Sequence, residues 1–227
     1  MVNYWSEHVP RQSILLAYGG ERKAFDAITH SQKFFVEDPR LRTRDHQREY
    51  QSYSGLLRGA ADALRAADSC FEFLHFAEYD HLPLSRDVNA KQIERLNAEG
   101  ADLLGFHVRR VDETNYPHYL YHISNPDFPS FWGAISRREE PEVVLSMFGS
   151  GSFWRREAFL AVADATEPFP IYLEIYLPTL AHHLGFRVRD FGEQNRFVRA
   201  LGDRTRSVGR ERQAGGWTLH PVKRLWK

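Results

Sequence analysis

Two carboxylates, Glu78 and Asp80, interrupt an apolar stretch, FEFLHFAEYDHLPL, that runs from Phe71 to Leu84. Because burying an unpaired charge is costly, either the chain reaches the surface there or the end of this strand is a site. Residues two apart lie on one side of an extended chain, so the two carboxylates can share a hard cation such as Mg²⁺ or Mn²⁺. The acidic pair alone leaves both interpretations open. His81 follows directly, and we interpret it as a bystander.

The elements around this pair have to place it at the end of a strand. Apolar residues at helical spacing predict a long helix between Asp45 and Ala67, immediately before the acidic stretch. A short apolar run from Ser13 to Gly20 predicts an earlier strand, and residues 89–100 predict another helix. This alternation favours an α/β fold with a mainly parallel central sheet flanked by helices. Ligands bind at the carboxyl ends of the strands in such a sheet, where the acidic pair would lie.

One domain over residues 1–227 is the simplest organisation, with residues 1–12 as an N-terminal extension. The sequence has no internal repeat and no low-complexity linker. The aromatic and proline-rich segment from Asn115 to Ile135 breaks the alternation and predicts a small antiparallel element with loops over one end of the sheet. We expect most of its rings to pack in a core and one or two of them to bind a ligand.

The composition excludes several kinds of site. The single cysteine, Cys70, allows neither an internal disulfide nor a cysteine-rich zinc site. No apolar run approaches the roughly 20 residues that span a bilayer, and the first residues do not have the pattern of a signal peptide. We therefore expect a cytoplasmic protein without a transmembrane segment.

Charge is unevenly distributed although the formal net charge is zero. From Phe186 to Lys227 there are eleven Arg and Lys residues against four Asp and Glu, so the rest of the chain is acidic. A basic tail beside an acidic body indicates either an anionic ligand such as phosphate or a solvated arginine-rich loop. Nucleic-acid binding is disfavoured because it needs a broad basic face. Residues 199–216 have few apolar anchors and are expected to form a mobile loop that closes over a diphosphate.

The order of these features resembles the GT-A family of nucleotide-sugar glycosyltransferases. In that family an Asp-any-Asp motif at the end of a central strand holds a divalent metal that bridges the two phosphates of the donor. Here the motif reads Glu78-Tyr79-Asp80, so the first acid departs from the commoner Asp, and Asp80 is the firmer ligand. The turn and helix GSGSFWRREAF, Gly149 to Phe159, are similar to the segment that shapes the donor-sugar and acceptor pocket. The resemblance spans Ser13 to Lys223 through short, degenerate motifs and implies a single GT-A-like, Rossmann-related domain.

The resemblance also implies roles for four more residues. Glu174 is similar in placement to the general base of inverting members, and Pro178 nearby suggests that the regular helix begins near that proline. In TLHPVK, His220 corresponds to a C-terminal metal ligand of several branches and Lys223 to a phosphate contact. Tyr18, at the end of the first strand, is placed to contact the nucleotide base or ribose. Three of them also have a plainer interpretation: a helix-capping Glu174, a packed surface His220 and a core Tyr18.

The resemblance thus implies a metal-dependent glycosyltransferase that uses a nucleotide-diphosphate sugar, Mn²⁺ or Mg²⁺, and a glycan or small-molecule acceptor, with inversion. A nucleotidyltransferase that makes sugar nucleotides is an alternative, but YGGERKAF after the first strand offers only a faint version of its glycine-rich loop. A non-catalytic nucleotide- or sugar-binding protein of the same fold is another alternative.

Overall fold

The computed structural model describes residues 2–9, 12–43, 45–67, 71–136, 139–192, 196–199 and 207–222, in which helices surround several short strands. The helices are α1 (Val2–His8), α2 (Arg22–Asp26), α3 (His46–Ala66), α4 (Val88–Ala98), α5 (Pro117–Ile123), α6 (Phe128–Ile135), α7 (Arg156–Ala165), α8 (Leu173–His183) and α9 (Val208–Gln213). The strands are β1 (Leu16–Tyr18), β2 (Lys33–Phe35), β3 (Phe73–Phe76), β4 (Leu82–Pro83), β5 (Leu103–Gly105), β6 (Arg109–Arg110), β7 (Leu145–Ser146), β8 (Ser152–Arg155), β9 (Val188–Asp190), β10 (Phe197–Arg199) and β11 (Thr218–His220). A 3₁₀ turn at Pro39–Arg42 precedes α3.

The largest sheet has four strands in the order β3-β8-β5-β9. Strand β8 runs antiparallel to both β3 and β5, and only the pair β5–β9 of this sheet is parallel. Smaller sheets are the parallel pair β1–β2, the antiparallel pair β6–β7, and β10-β11-β4, in which β11 is parallel to β10 and antiparallel to β4. The fold is therefore α/β with several small mixed sheets, and the prediction of a mainly parallel central sheet is wrong.

The position of β8 explains why the alternation of elements was misleading. This strand follows β5 in the sequence but lies between β3 and β5, so those two strands do not pair with each other. Successive side chains of a strand point to opposite faces, and both faces of β8 are buried. Trp154 packs in one apolar cluster with Leu103, and Phe153 packs in a second cluster with Leu104. Burial on both faces favours a central position for β8 in the sheet. The hydrophobic pattern of the strand does not show which strands lie on either side of it.

The long predicted helix is present as α3, and its apolar face packs against α7. Leu57 and Ala61 of α3 are almost completely buried, as are Phe159 and Val162 of α7 in the same apolar cluster. Burying one leucine side chain contributes about 1.5–3 kcal/mol, so this contact anchors the helix that precedes β3.

The aromatic segment 115–135 is helical, which corrects the prediction of short antiparallel strands. Helix α5 begins at Pro117, and Pro129 lies in the first turn of α6. Proline is favourable in the first helical turn because the N–H that it lacks would have no partner there. The two prolines therefore start helices in this segment and do not mark loops.

The first residues pack against the rest of the chain. The indole N–H of Trp5 donates to the carbonyl oxygen of His81 at 2.8 Å, and Val9 is buried. The guanidinium of Arg212, in α9, donates to the hydroxyl of Tyr4 and to the carbonyl oxygen of Leu84. The described part of the predicted extension, residues 2–9, thus lies over β4.

Candidate metal centre

The acidic pair lies in a turn between two strands, and not at the end of one continuous strand. Strand β3 ends at Phe76, and the N–H of His81 donates to the carbonyl oxygen of Glu78 at 3.1 Å across the turn that leads to β4. The side chain of Asp80 is 1% exposed, whereas that of Glu78 is 56% exposed. The turn therefore holds one carboxylate inside the protein and the other at its surface.

The pairing of β11 with β4 brings His220 to this turn. Leu219 of β11 lies opposite Leu82 of β4 in an antiparallel register, and the N–H of Val222 donates to the carbonyl oxygen of Asp80 at 2.8 Å. Because side chains alternate between the two faces of a strand, a slip of one residue would turn His220 away from the acids. The register of two short strands thus determines whether the third side chain reaches the turn.

Glu78, Asp80 and His220 each offer a ligand atom, and these atoms lie within 4.8 Å of one another. His220 Nε2 is 3.0 Å from Glu78 Oε2 and 3.1 Å from Asp80 Oδ1. Two carboxylates and one imidazole are a suitable ligand set for a divalent cation, and the same contacts form an ion pair if His220 is protonated. The structure thus brings together the three residues predicted as metal ligands.

The loop GSGS, residues 149–152, contacts the acidic turn. The hydroxyl of Ser150 accepts a hydrogen bond from the N–H of Glu78 at 3.0 Å and lies 3.2 Å from Nδ1 of His81. Gly151 has a φ of +90°, and a Cβ at this position would lie only 2.5 Å from Cε1 of His81. Both the backbone conformation and the close approach require glycine, so this loop is a tight turn that also fixes the candidate site.

Two buried histidines lie behind the turn. Burial, with smaller contributions from the charges of His75 and His220, holds the pKa of His81 well below its ordinary value. Burial also lowers the pKa of His75 to about 4, against the opposing effect of its hydrogen bond to Asn89. Both imidazoles are therefore neutral at physiological pH. His81 packs against the ligands but stays outside the three-residue group.

Glu174 lies in the first turn of α8, because the helix begins at Leu173 and not near Pro178 as predicted. Pro178 has no N–H, so the carbonyl oxygen of Glu174, four residues earlier, lacks its usual partner within the helix. This oxygen accepts instead from the N–H of Met147 at 2.9 Å. The proline therefore lies inside the helix. The N–H of Met147 replaces the missing helical donor and so connects the backbone of Glu174 to the residue after β7.

The carboxylate of Glu174 faces the same site as the acidic turn. A Cβ on Gly149, in the loop before β8, would lie 3.1 Å from Oε1 of Glu174. Burial raises the pKa of Glu174, and the negative charge of Glu78 raises it further, while a backbone hydrogen bond and His118 act in the opposite direction. A half-buried carboxylate with a raised pKa is suited to accept a proton.

Two tyrosines of α3, Tyr50 and Tyr53, lie close to these carboxylates. Burial raises the pKa of Tyr53, and the charges of Glu49, Glu78 and Glu174 raise it further. The pKa of Tyr50 is raised by burial and then by a hydrogen bond to Tyr172. The sequence does contain a signal for this placement: the apolar face of α3 carries tyrosines in its first half and leucine and alanine in its second half.

Tyr18, predicted to contact the nucleotide, is not part of this centre. Tyr18 lies beside Phe25 and Phe35, with ring centroids 6.2 and 6.4 Å away, in the small β1–β2 sheet. Lys223 and residues 200–206 of the predicted lid lie outside the described residues, and residues 208–213 of that lid form α9. The guanidinium of Arg212, in the basic tail, donates to protein oxygens.

Comparisons with known proteins leave the functional argument to the site itself. The chain matches no protein-family model, and no curated protein matches it. Of the helices in the described ranges, none combines the length and the apolar character needed to cross a membrane.

Proposed function

We propose that this chain is a metal-dependent glycosyltransferase that moves a sugar from a nucleotide-diphosphate sugar to an acceptor hydroxyl, with inversion at the anomeric carbon. The observation that carries the proposal is the meeting of Glu78, Asp80 and His220 beside the carboxylate of Glu174. The resemblance of Glu78-Tyr79-Asp80 to the metal motif of GT-A glycosyltransferases supports the choice of donor.

The three side chains fit a divalent cation. Asp80 is fully buried, and a buried carboxylate is stable only when a positive charge or hydrogen bonds compensate it. The imidazole of His220 favours Mn²⁺ over Mg²⁺, because Mg²⁺ prefers oxygen ligands alone. When bound by Glu78, Asp80 and His220, the cation supplies positive charge that stabilises the departing diphosphate.

Glu174 is the proposed general base. The acceptor hydroxyl gives its proton to the Glu174 carboxylate, and its oxygen forms a bond to the anomeric carbon. The bond from that carbon to the diphosphate oxygen breaks, and the electron pair stays on the diphosphate. Burial makes this carboxylate a stronger base than an exposed glutamate, because burial raises its pKa.

A thermal-shift panel of nucleoside diphosphates with and without Mn²⁺ tests the donor site. We expect at least one nucleoside diphosphate to raise the melting temperature only when Mn²⁺ is present. The shift should disappear in Asp80→Asn and persist in Asp62→Asn, which changes an exposed acid on α3 in the same way. If no nucleoside diphosphate gives a shift that depends on Mn²⁺, the proposed donor site is wrong.

The variant Glu174→Gln separates an enzyme from a binding protein. With the nucleotide sugar that gives the largest shift, we expect the wild-type protein to release nucleoside diphosphate and the variant to release it far more slowly. The nucleotide shift itself should be unchanged, because Glu174 is outside the metal group. A nucleotide shift without any release by the wild-type protein would instead support a non-catalytic binder.

A further inference from the structure

Rings from three separate elements meet beside Glu174. We call Tyr50 of α3, His118 of α5 and Tyr172, which precedes α8, the aromatic face. The ring centroids of Tyr50 and Tyr172 are 4.4 Å apart, and the ring of His118 is stacked on that of Tyr172 at 4.8 Å. Tyr172 is two residues before Glu174, so the face and the proposed base lie at the same end of α8.

The aromatic face is different from the packed rings of the same region. Tyr116 and Tyr119 pack against the main apolar cluster, but the three residues of the face are not part of the described clusters. All three are half-buried, so their rings keep exposed surface. The face therefore combines accessible ring surface with a neighbouring carboxylate, that of Glu174.

Tyr172 is held in place by its backbone. Its N–H donates to Nε2 of His122 at 3.2 Å, which requires the imidazole to be neutral. Burial lowers the pKa of His122 to about 4, with a smaller contribution from the charge of His118, so the ring is neutral at physiological pH. The hydrogen bond between the side chains of Tyr50 and Tyr172 holds the hydroxyl end of the Tyr172 side chain. A ring held in this way can bind a ligand without a large ordering cost.

A pyranose ring has the chemistry that this face matches. One side of a pyranose presents C–H groups that pack on aromatic rings, while its edge presents hydroxyl groups that need hydrogen-bond partners. The aromatic face supplies ring surface for the C–H groups, and the half-buried carboxylate of Glu174 can accept a hydrogen bond from a hydroxyl group. An aryl ligand would use the rings alone and would cover this carboxylate without giving it a hydrogen bond, which is unfavourable.

We propose that the aromatic face of Tyr50, His118 and Tyr172 binds a pyranose ring of the acceptor and directs one of its hydroxyl groups to Glu174. The assignment rests on the proposed glycosyl transfer, and it identifies the acceptor as a carbohydrate.

Saturation-transfer NMR with a panel of methyl hexopyranosides, recorded without nucleotide or metal, tests the carbohydrate site alone. We expect transfer to the C–H protons of one ring face in at least one pyranoside. Tyr172→Leu should weaken this binding roughly three- to tenfold, the range for the loss of one aromatic contact. Tyr172→Phe keeps the ring but loses its hydrogen bond to Tyr50, so it should weaken binding less than Tyr172→Leu does. His118→Ala should also weaken it, which keeps the test decisive if Tyr172→Leu does not fold.

The outcomes separate this inference from the proposed function. Nitrophenol, recorded beside the pyranosides, serves as the aryl comparison. If no pyranoside shows transfer, or if nitrophenol is bound more strongly than every pyranoside, the carbohydrate assignment is wrong, whatever the nucleotides do. If pyranosides bind through the aromatic face but no nucleoside diphosphate binds with Mn²⁺, the carbohydrate site stands and glycosyl transfer fails. Binding that is equal in the wild-type protein, Tyr172→Leu and His118→Ala would place the sugar elsewhere and overturn the proposal.

Discussion

His220 Nε2 lies 3.1 Å from Asp80 Oδ1, and the two residues reach each other through the pairing of β11 with β4. The contact joins the C-terminal strand to a turn that follows β3. Neither residue alone makes a cation site, because a single carboxylate or imidazole binds a divalent ion weakly. The candidate centre therefore exists only in the folded chain.

The buried and exposed acids of the centre should contribute unequally to metal binding. Removing a residue that only holds a metal ligand in place costs roughly 10- to 100-fold in metal affinity. We expect Asp80→Asn, which removes a ligand itself, to lower the affinity for Mn²⁺ by at least this much. Glu78→Gln should have a smaller effect, because the Glu78 side chain is 56% exposed and water can replace it. Isothermal titration calorimetry with Mn²⁺ measures both affinities. Equal losses in the two variants would contradict the different roles assigned to the two acids.

Metal binding should stabilise the fold through His220. At a free Mn²⁺ concentration about 100 times the dissociation constant, binding to the native state adds about 2.7 kcal/mol to the free energy of unfolding. We expect this gain in the wild-type protein, and a much smaller one at the same Mn²⁺ concentration in His220→Ala, by urea denaturation followed by circular dichroism. If His220 serves only in an ion pair with the carboxylates, the wild-type protein will gain no stability from Mn²⁺.

Stability should depend on pH through Glu174. Its pKa is raised in the folded state, so above the ordinary glutamate pKa the unfolded chain loses this proton first. The contribution of Glu174 to the free energy of unfolding therefore falls as pH rises, until pH exceeds the folded-state pKa. Glu174→Gln has no such loss and should be more stable than the wild-type protein at neutral pH, with a smaller difference near pH 4.

Urea denaturation in metal-free buffer at both pH values measures this difference. Glu167→Gln is a suitable control, because it makes the same exchange at a side chain that is 55% exposed. A difference between Glu174→Gln and the wild-type protein that grows towards acid pH would contradict the raised pKa.

The loop under the acidic turn should not tolerate a side chain. Gly151→Ala places a Cβ 2.5 Å from Cε1 of His81 and 2.7 Å from Cε2 of Phe197, at a backbone φ of +90°. We expect a loss of about 1–3 kcal/mol in the free energy of unfolding from the strained backbone, with a further loss from the clash. Gly133→Ala is the matched control, because no atom lies within 4 Å of its added Cβ in helix α6.

The control should stabilise the protein by about 0.5–1 kcal/mol, since alanine is the better helix former. Thermal denaturation of both variants measures the contrast. A Gly151→Ala protein as stable as the wild type would show that the loop can move away from His81.

Sequence alone predicted the elements whose signal is local. The apolar spacing that ends near Ala67 predicted α3, whereas α8 begins at Leu173, earlier than predicted. The prediction of loops at the prolines of 115–135 was wrong, because a proline that would end one helix can also start the next. The predicted helix start near Pro178 was wrong for a different reason. The N–H of Met147 donates to the carbonyl oxygen of Glu174, which Pro178 leaves without a helical donor.

What the residue types of Glu78 and Asp80 determined is that a cation could be held at this turn. Only the tertiary structure decided that His220 lies beside them, that Tyr18 packs with phenylalanines, and that the rings of Tyr50 and Tyr172 meet near Glu174. The physical reason is that periodicity reports which face of a segment is apolar, but not which distant segment covers it. The position of β8 between β3 and β5 and the register of β11 on β4 depend on how the apolar faces of many segments are buried together. They are therefore determined by the whole chain.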